Sequence, residues 1–103
     1  MKKIKVGGIV YDVELKEIVE INQDRNYYGS CDYKSAKIEI ANTINEQRQE
    51  QTLIHEVMHA VFDEAGISLE NEEDIVNRLS LVWYQVLKDN DFSFLNKNKN
   101  KVL

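Results

Sequence analysis

The sequence predicts an α+β fold in which a small N-terminal antiparallel sheet of about three to four strands packs on two main helices. Short segments rich in β-branched and aromatic residues, separated by Gly and polar clusters, fill the chain up to residue 41. From residue 44 onward, apolar residues recur at helical spacing in two blocks, 44–65 and 70–89. Gly66 falls between the blocks, where a left-handed residue ends a helix.

Taken in order, residues 3–6 and 9–19 read as two strands around a Gly7-Gly8 turn, with Val10, Tyr11 and Val13 as core or half-buried positions. The polar run 22–26 reads as a loop. Two more strands are expected near 27–33 and 37–41, turning near Tyr33, Lys34 and Ser35; Ile38 and Ile40 alternate with Lys37 and Glu39, as in a half-buried strand. The first helix should start at a capping box, with Thr43 as N-cap and Glu46 reaching back. Its apolar positions are Leu53, Ile54, Val57, Met58, Val61, Phe62 and Ala65. Ser68 or Asn71 would cap the second helix, and Glu70, Glu72, Glu73 and Asp74 suit its positive end. Ile75, Val76, Leu79, Val82, Trp83, Val86 and Leu87 are its expected buried stripe. The run at 96–103, basic and of low complexity, is expected to be a disordered tail, leaving one domain over 1–95.

Bulk properties narrow the function. A chain of 103 residues, 43% hydrophobic and 30% charged, has the composition of an ordinary single domain. A formal net charge of −5 argues against nucleic acid as the partner, because phosphate affinity needs a basic surface. No run of 18 apolar residues is available to span a membrane. Cys31 has no second cysteine to pair with, which suits a reducing compartment. The opening residues read as a strand and not as a signal peptide, so a cytoplasmic location is expected.

The chemistry is concentrated in His55-Glu56-Val57-Met58-His59, which holds both histidines of the chain. Residues four apart lie on one face of a helix, so the two imidazoles can address one ion. Zinc accepts nitrogen ligands, and its catalytic sites usually have three protein ligands and one open position. Glu56, about 100° around the helix from His55, is placed to act on a water as general base and not to compete as a ligand. With no third histidine, the remaining ligand should be a carboxylate from the acidic start of the second helix. Glu73 is the first choice and Glu72 the alternative, with Asn77 one turn further on to orient a ligand by hydrogen bonding. An oxyanion donor is sought among Tyr27, Tyr28, Tyr33 and Tyr84, first at Tyr28. Cys31 has two readings: a thiol capping the open metal position, or a plain strand cysteine.

The stretch from Thr52 to Asn90 resembles the minimal gluzincin-like metallopeptidases, and more narrowly the small phage- and prophage-encoded relatives of the ImmA/IrrE-type family. In these, strands precede an HExxH helix and a Glu of the next helix completes a zinc site. The resemblance implies a minimal zincin-like fold with Zn2+ on His55, His59 and Glu73, and with Glu56 as general base. Glu73-x-x-x-Asn77 is similar to the gluzincin Glu-x-x-x-Asp arrangement, with Asn in place of Asp. The implied activity is that of a zinc metalloendopeptidase of narrow specificity, cutting a peptide or protein held along strand 37–41 as a sheet edge. The other reading is a catalytically silent, zinc-stabilised module that acts by binding a host or phage protein.

Overall fold

The computed structural model describes residues 2–96 and shows the α+β architecture. Six strands come first: β1 (Lys2–Val6), β2 (Ile9–Lys16), β3 (Val19–Ile21), β4 (Asp24–Tyr27), β5 (Gly29–Asp32) and β6 (Lys37–Ala41). Two helices follow, α1 (Glu46–Glu64) and α2 (Glu72–Asp89), and then a 3₁₀ turn at Ser93–Leu95. The expected tail at 96–103, apart from Asn96, lies outside the described residues. No helix among them is long and apolar enough to cross a membrane.

A four-stranded sheet has the order β1-β2-β6-β5, and β3 and β4 pair separately. β1–β2 and β5–β6 are antiparallel, but β2 and β6 run parallel, so the sheet is mixed where a purely antiparallel one was expected. The cause is the route of the chain. After β2 it runs through the β3–β4 hairpin and β5 before returning beside β2 in the same direction, which is the crossover a parallel pair requires. The second correction concerns the strand at 37–41. β6 is flanked on both sides, so its backbone is committed, and the open edges belong to β1 and β5.

Local chemistry explains the turns. Gly7 and Gly8, at φ 58° and 93°, form the two-residue hairpin turn between Val6 and Ile9. Asn22 and Gln23, at φ 51° and 71°, do the same between Ile21 and Asp24. The polar run that read as a loop is therefore largely a hairpin. Asp32 Oδ1 accepts hydrogen bonds from the Lys34 and Ser35 amides at 3.0 and 3.4 Å and folds the β5–β6 turn.

The core lies between one face of the sheet and α1. Val6, Tyr11, Val13, Ile38 and Ile40 meet Ala60, and Leu53, Val57 and Cys31 pack around them. Val10 points the other way and is exposed, as strand alternation requires once Tyr11 faces inward. The Tyr11 ring is fully buried, and its hydroxyl donates to Glu64 at 2.7 Å, tying β2 to the end of α1. α2 packs on α1 and makes no comparable contact with the sheet. Of its expected buried stripe only Val76 is fully buried; Leu79, Val82, Trp83 and Leu87 are exposed. Helical spacing shows that a face is apolar, not that a second layer covers it.

Candidate metal centre and cleft

Helix capping sets the position of both histidines. α1 starts at Asn45, whose side chain accepts from the Arg48 amide at 2.8 Å, two residues later than the expected Thr43 cap. Gln49 Nε2 donates to the Ile44 carbonyl at 2.9 Å and holds the chain ahead of that cap. At the other end the Gly66 and Ile67 amides donate to the Asp63 and Phe62 carbonyls at 3.0 and 2.9 Å. This is a Schellman closure, with Gly66 at φ 72°. The chain turns sharply there, and α2 starts beside the last turns of α1. Asn71 is the α2 N-cap residue but makes no side-chain capping bond, and Ser68 lies outside the helix.

The helix hairpin brings Glu73 against both histidines. Its two carboxylate oxygens lie 2.9 Å from His55 Nε2 and 2.8 Å from His59 Nε2. One donor atom from each of these three residues falls within 4.8 Å of the others. The imidazole rings stand edge to face with centroids 4.9 Å apart. Burial holds the His55 imidazole below its ordinary pKa, against the pull of Glu73. Glu72 takes a different place from the one considered for it. It meets His59 Nδ1 at 2.7 Å, on the opposite side of the ring from Glu73. A carboxylate there can fix the orientation of the ring, with the Nε2 edge toward Glu73 and His55. That orienting task was expected of Asn77, which is exposed and lines the cleft without a side-chain bond to His55, His59 or Glu73.

The donor set, two imidazole nitrogens and one carboxylate, could hold a metal ion. Glu73, with 66% of its side chain exposed, borders open space, so the cluster is not sealed as a purely structural site would be. Glu56 is 8% exposed, and burial pushes its carboxyl up to about 7, with Glu73 adding to the rise and His59 opposing it. A carboxyl near neutrality can both take and return a proton.

Gly29 explains how Glu56 comes to be buried. A Cβ at position 29 would stand 2.6 Å from Thr52 Cγ2, 3.1 Å from the Glu39 carbonyl oxygen and 3.3 Å from Glu56 Cγ. Only a residue without a side chain lets the edge strand β5 lie this close to α1. The sequence offered no sign of it beyond a glycine in a strand.

Two cavities meet at this point. The larger, about 980 Å³, runs along β5 and the β5–β6 turn and also touches the β3–β4 hairpin. The smaller, about 500 Å³, lies toward the start of α1 and the second and third turns of α2. Tyr27, Gly29, His55, Glu56 and Glu73 line both. Tyr28 borders the smaller cavity under the Arg48 guanidinium, 5.9 Å from the ring centroid. Tyr33 borders the larger one, where burial pushes its hydroxyl up to about 12. Tyr84 borders neither, and its hydroxyl donates to Glu50 at 2.8 Å. Cys31 packs against the core and also lines the larger cavity, but is not part of the three-residue cluster. Burial pushes its thiol up to about 12.

No family model matches the chain, and no curated protein or solved structure matches it.

Proposed function

We propose that this chain is a zinc-dependent metalloendopeptidase of the HExxH kind, a hydrolase of narrow specificity. One observation carries the proposal: His55, His59 and Glu73 converge beside the buried carboxyl of Glu56, where two cavities join. His55, His59 and Glu73 would hold the ion, which when bound supplies Lewis acidity that brings a water within reach of a base at neutral pH. Glu56 takes a proton from the attacking water as the new C–O bond forms at the peptide carbonyl. It then gives that proton to the departing amine nitrogen as the C–N bond breaks. Glu72 holds the His59 ring in orientation throughout. Tyr28 is the proposed donor to the carbonyl oxygen as it gains charge. The substrate strand adds to the free edge of β5, not to β6.

The test pairs metal analysis with Glu56→Gln. About one zinc per chain is expected, lost in His55→Ala and Glu73→Ala, while Glu56→Gln keeps the metal and loses peptide cleavage. Cleavage surviving in Glu56→Gln would sink the catalytic assignment. A second reading has its own support in the exposed Leu79, Val82, Trp83 and Leu87 of α2: a zinc-stabilised module that acts by binding another protein. It expects Glu56→Gln to leave every function intact.

A further inference from the structure

The two cavities differ in charge. Acids and lysines are mixed around the larger one: Glu20, Asp32 and Glu39 with Lys34 and Lys37. Apart from Glu56 and Glu73, the smaller one has a single charged residue, Arg48. Both glutamates are occupied, Glu73 with the two imidazoles and Glu56 in the interior. Among the described residues no carboxylate pairs with the Arg48 guanidinium. The exposed guanidinium lies over the Tyr28 ring instead, 5.9 Å from centroid to Cζ. Gln51, Thr52 and Ser80 add neutral polar groups to the same wall.

An arginine lying over an aromatic ring keeps its planar fork of N–H donors free, and that fork matches a carboxylate. We propose that Arg48 determines specificity: it binds a carboxylate of the substrate on the side of the scissile bond that enters the smaller cavity. This rests on the peptidase reading and names its substrate class, a peptide that is acidic or ends close to the cut. The carboxylate is that of an Asp or Glu side chain or of the peptide C-terminus; the recognition chemistry is the same. In the larger cavity the mixture of acids and lysines leaves no comparable preference for one sign of charge.

The experiment is a binding titration, which needs no turnover. Three peptides are added to the ¹⁵N-labelled full chain with zinc and again with a chelator, following backbone amides and the arginine Nε–H signals. They are acetyl-tetra-alanine with a free C-terminus, acetyl-tetra-alanine amide, and acetyl-Ala-Ala-Ala-Glu amide. One or both carboxylate peptides should bind roughly fivefold tighter than the neutral amide and shift the Arg48 Nε–H signal. The preference should vanish in Arg48→Gln and weaken in Arg48→Lys, which keeps the charge but not the fork. Preference for the free C-terminus identifies a terminal carboxylate, and preference for the Glu peptide identifies a side chain. Equal binding of all three, no shift by any at millimolar concentration, or a preference that survives Arg48→Gln overturns the assignment. Because the chelated protein is tested too, a chain that binds no zinc would defeat the peptidase reading while still giving its own answer on Arg48.

Discussion

The two helices are nearly equal in length but are used differently. α1 is occupied on several sides: the sheet covers Ala60, Glu56 turns toward the cleft, and α2 lies along another face. α2 touches only α1 to any extent, and most of its apolar stripe meets solvent. Both are amphipathic, so amphipathicity alone does not distinguish a central helix from a peripheral one. The difference comes from where the sheet lies. A sheet with one covered face holds one helix in contact, and the second helix can only lean on the first.

That contrast can be broken by mutation. The largest effect is expected under α1. Ile38→Ala removes a fully buried side chain and should cost about 3 kcal/mol in urea unfolding. The exposed counterpart Val82→Ala should cost under about 0.5 kcal/mol. Equal losses would mean that the outer face of α2 is covered in solution. Next in size is zinc, which would join the two helices. At about a hundredfold over its dissociation constant it should stabilise the fold by roughly 2.7 kcal/mol in thermal melts. The gain should be absent in Glu73→Ala, and a gain unaffected by that change would place the ion elsewhere.

The third effect is confined to α1 and depends on pH. In metal-free protein the Glu56 carboxyl is raised from 4.5 to about 7. Below the lower value both folded and unfolded chains hold the proton, and Glu56 imposes no penalty. As pH rises through the window the unfolded chain ionises first, so the folded state loses stability until about pH 7. Glu56→Gln should remove this loss and be more stable than the parent at pH 8 by about 2 kcal/mol in chelator, with little difference at pH 4.5. Parallel pH profiles for the two proteins would show that the carboxyl is not buried at that cost. The smallest effect concerns orientation. Glu72→Gln should keep the fold within about 0.5 kcal/mol and weaken zinc binding about tenfold, read by competition with a chelator. Unchanged affinity would leave Glu72 without a positioning role.

Much of this was legible beforehand, and the parts that were not share a cause. Gly7-Gly8, Gly66, the alternation at Ile38 and Ile40 and the His55–His59 spacing are local signals that act within a few residues. So is the acidic start of α2, which supplied Glu73. The parallel pairing of β2 with β6 depends on distant segments, and no periodicity reports it. The β3–β4 hairpin is too polar to alternate visibly. Thr43 and Asn45 are both good cap residues, and the bonds of Gln49 and Arg48 to the preceding turn favour the later one. Glu72 and Glu73 were indistinguishable as acids. Helix phase separates them, setting one on each side of the His59 ring.

The spacing of the site along the chain has a consequence for the order of folding. The three candidate ligands lie within residues 55–73, on two helices joined by a short turn. The burial of Glu56 requires β5, which is held by β6, which in turn pairs with β2 near the start of the chain. Short loops close faster than long ones, so in refolding the helix pair should form first and the mixed sheet later. Zinc uptake should then precede protection of the β2 and β6 amides from hydrogen exchange; simultaneous gain would contradict that order. On the proposed peptidase reading, a chain that folds this way would take up metal before Glu56 is buried, and would stay inert toward its own unfolded copies until the last strand docks.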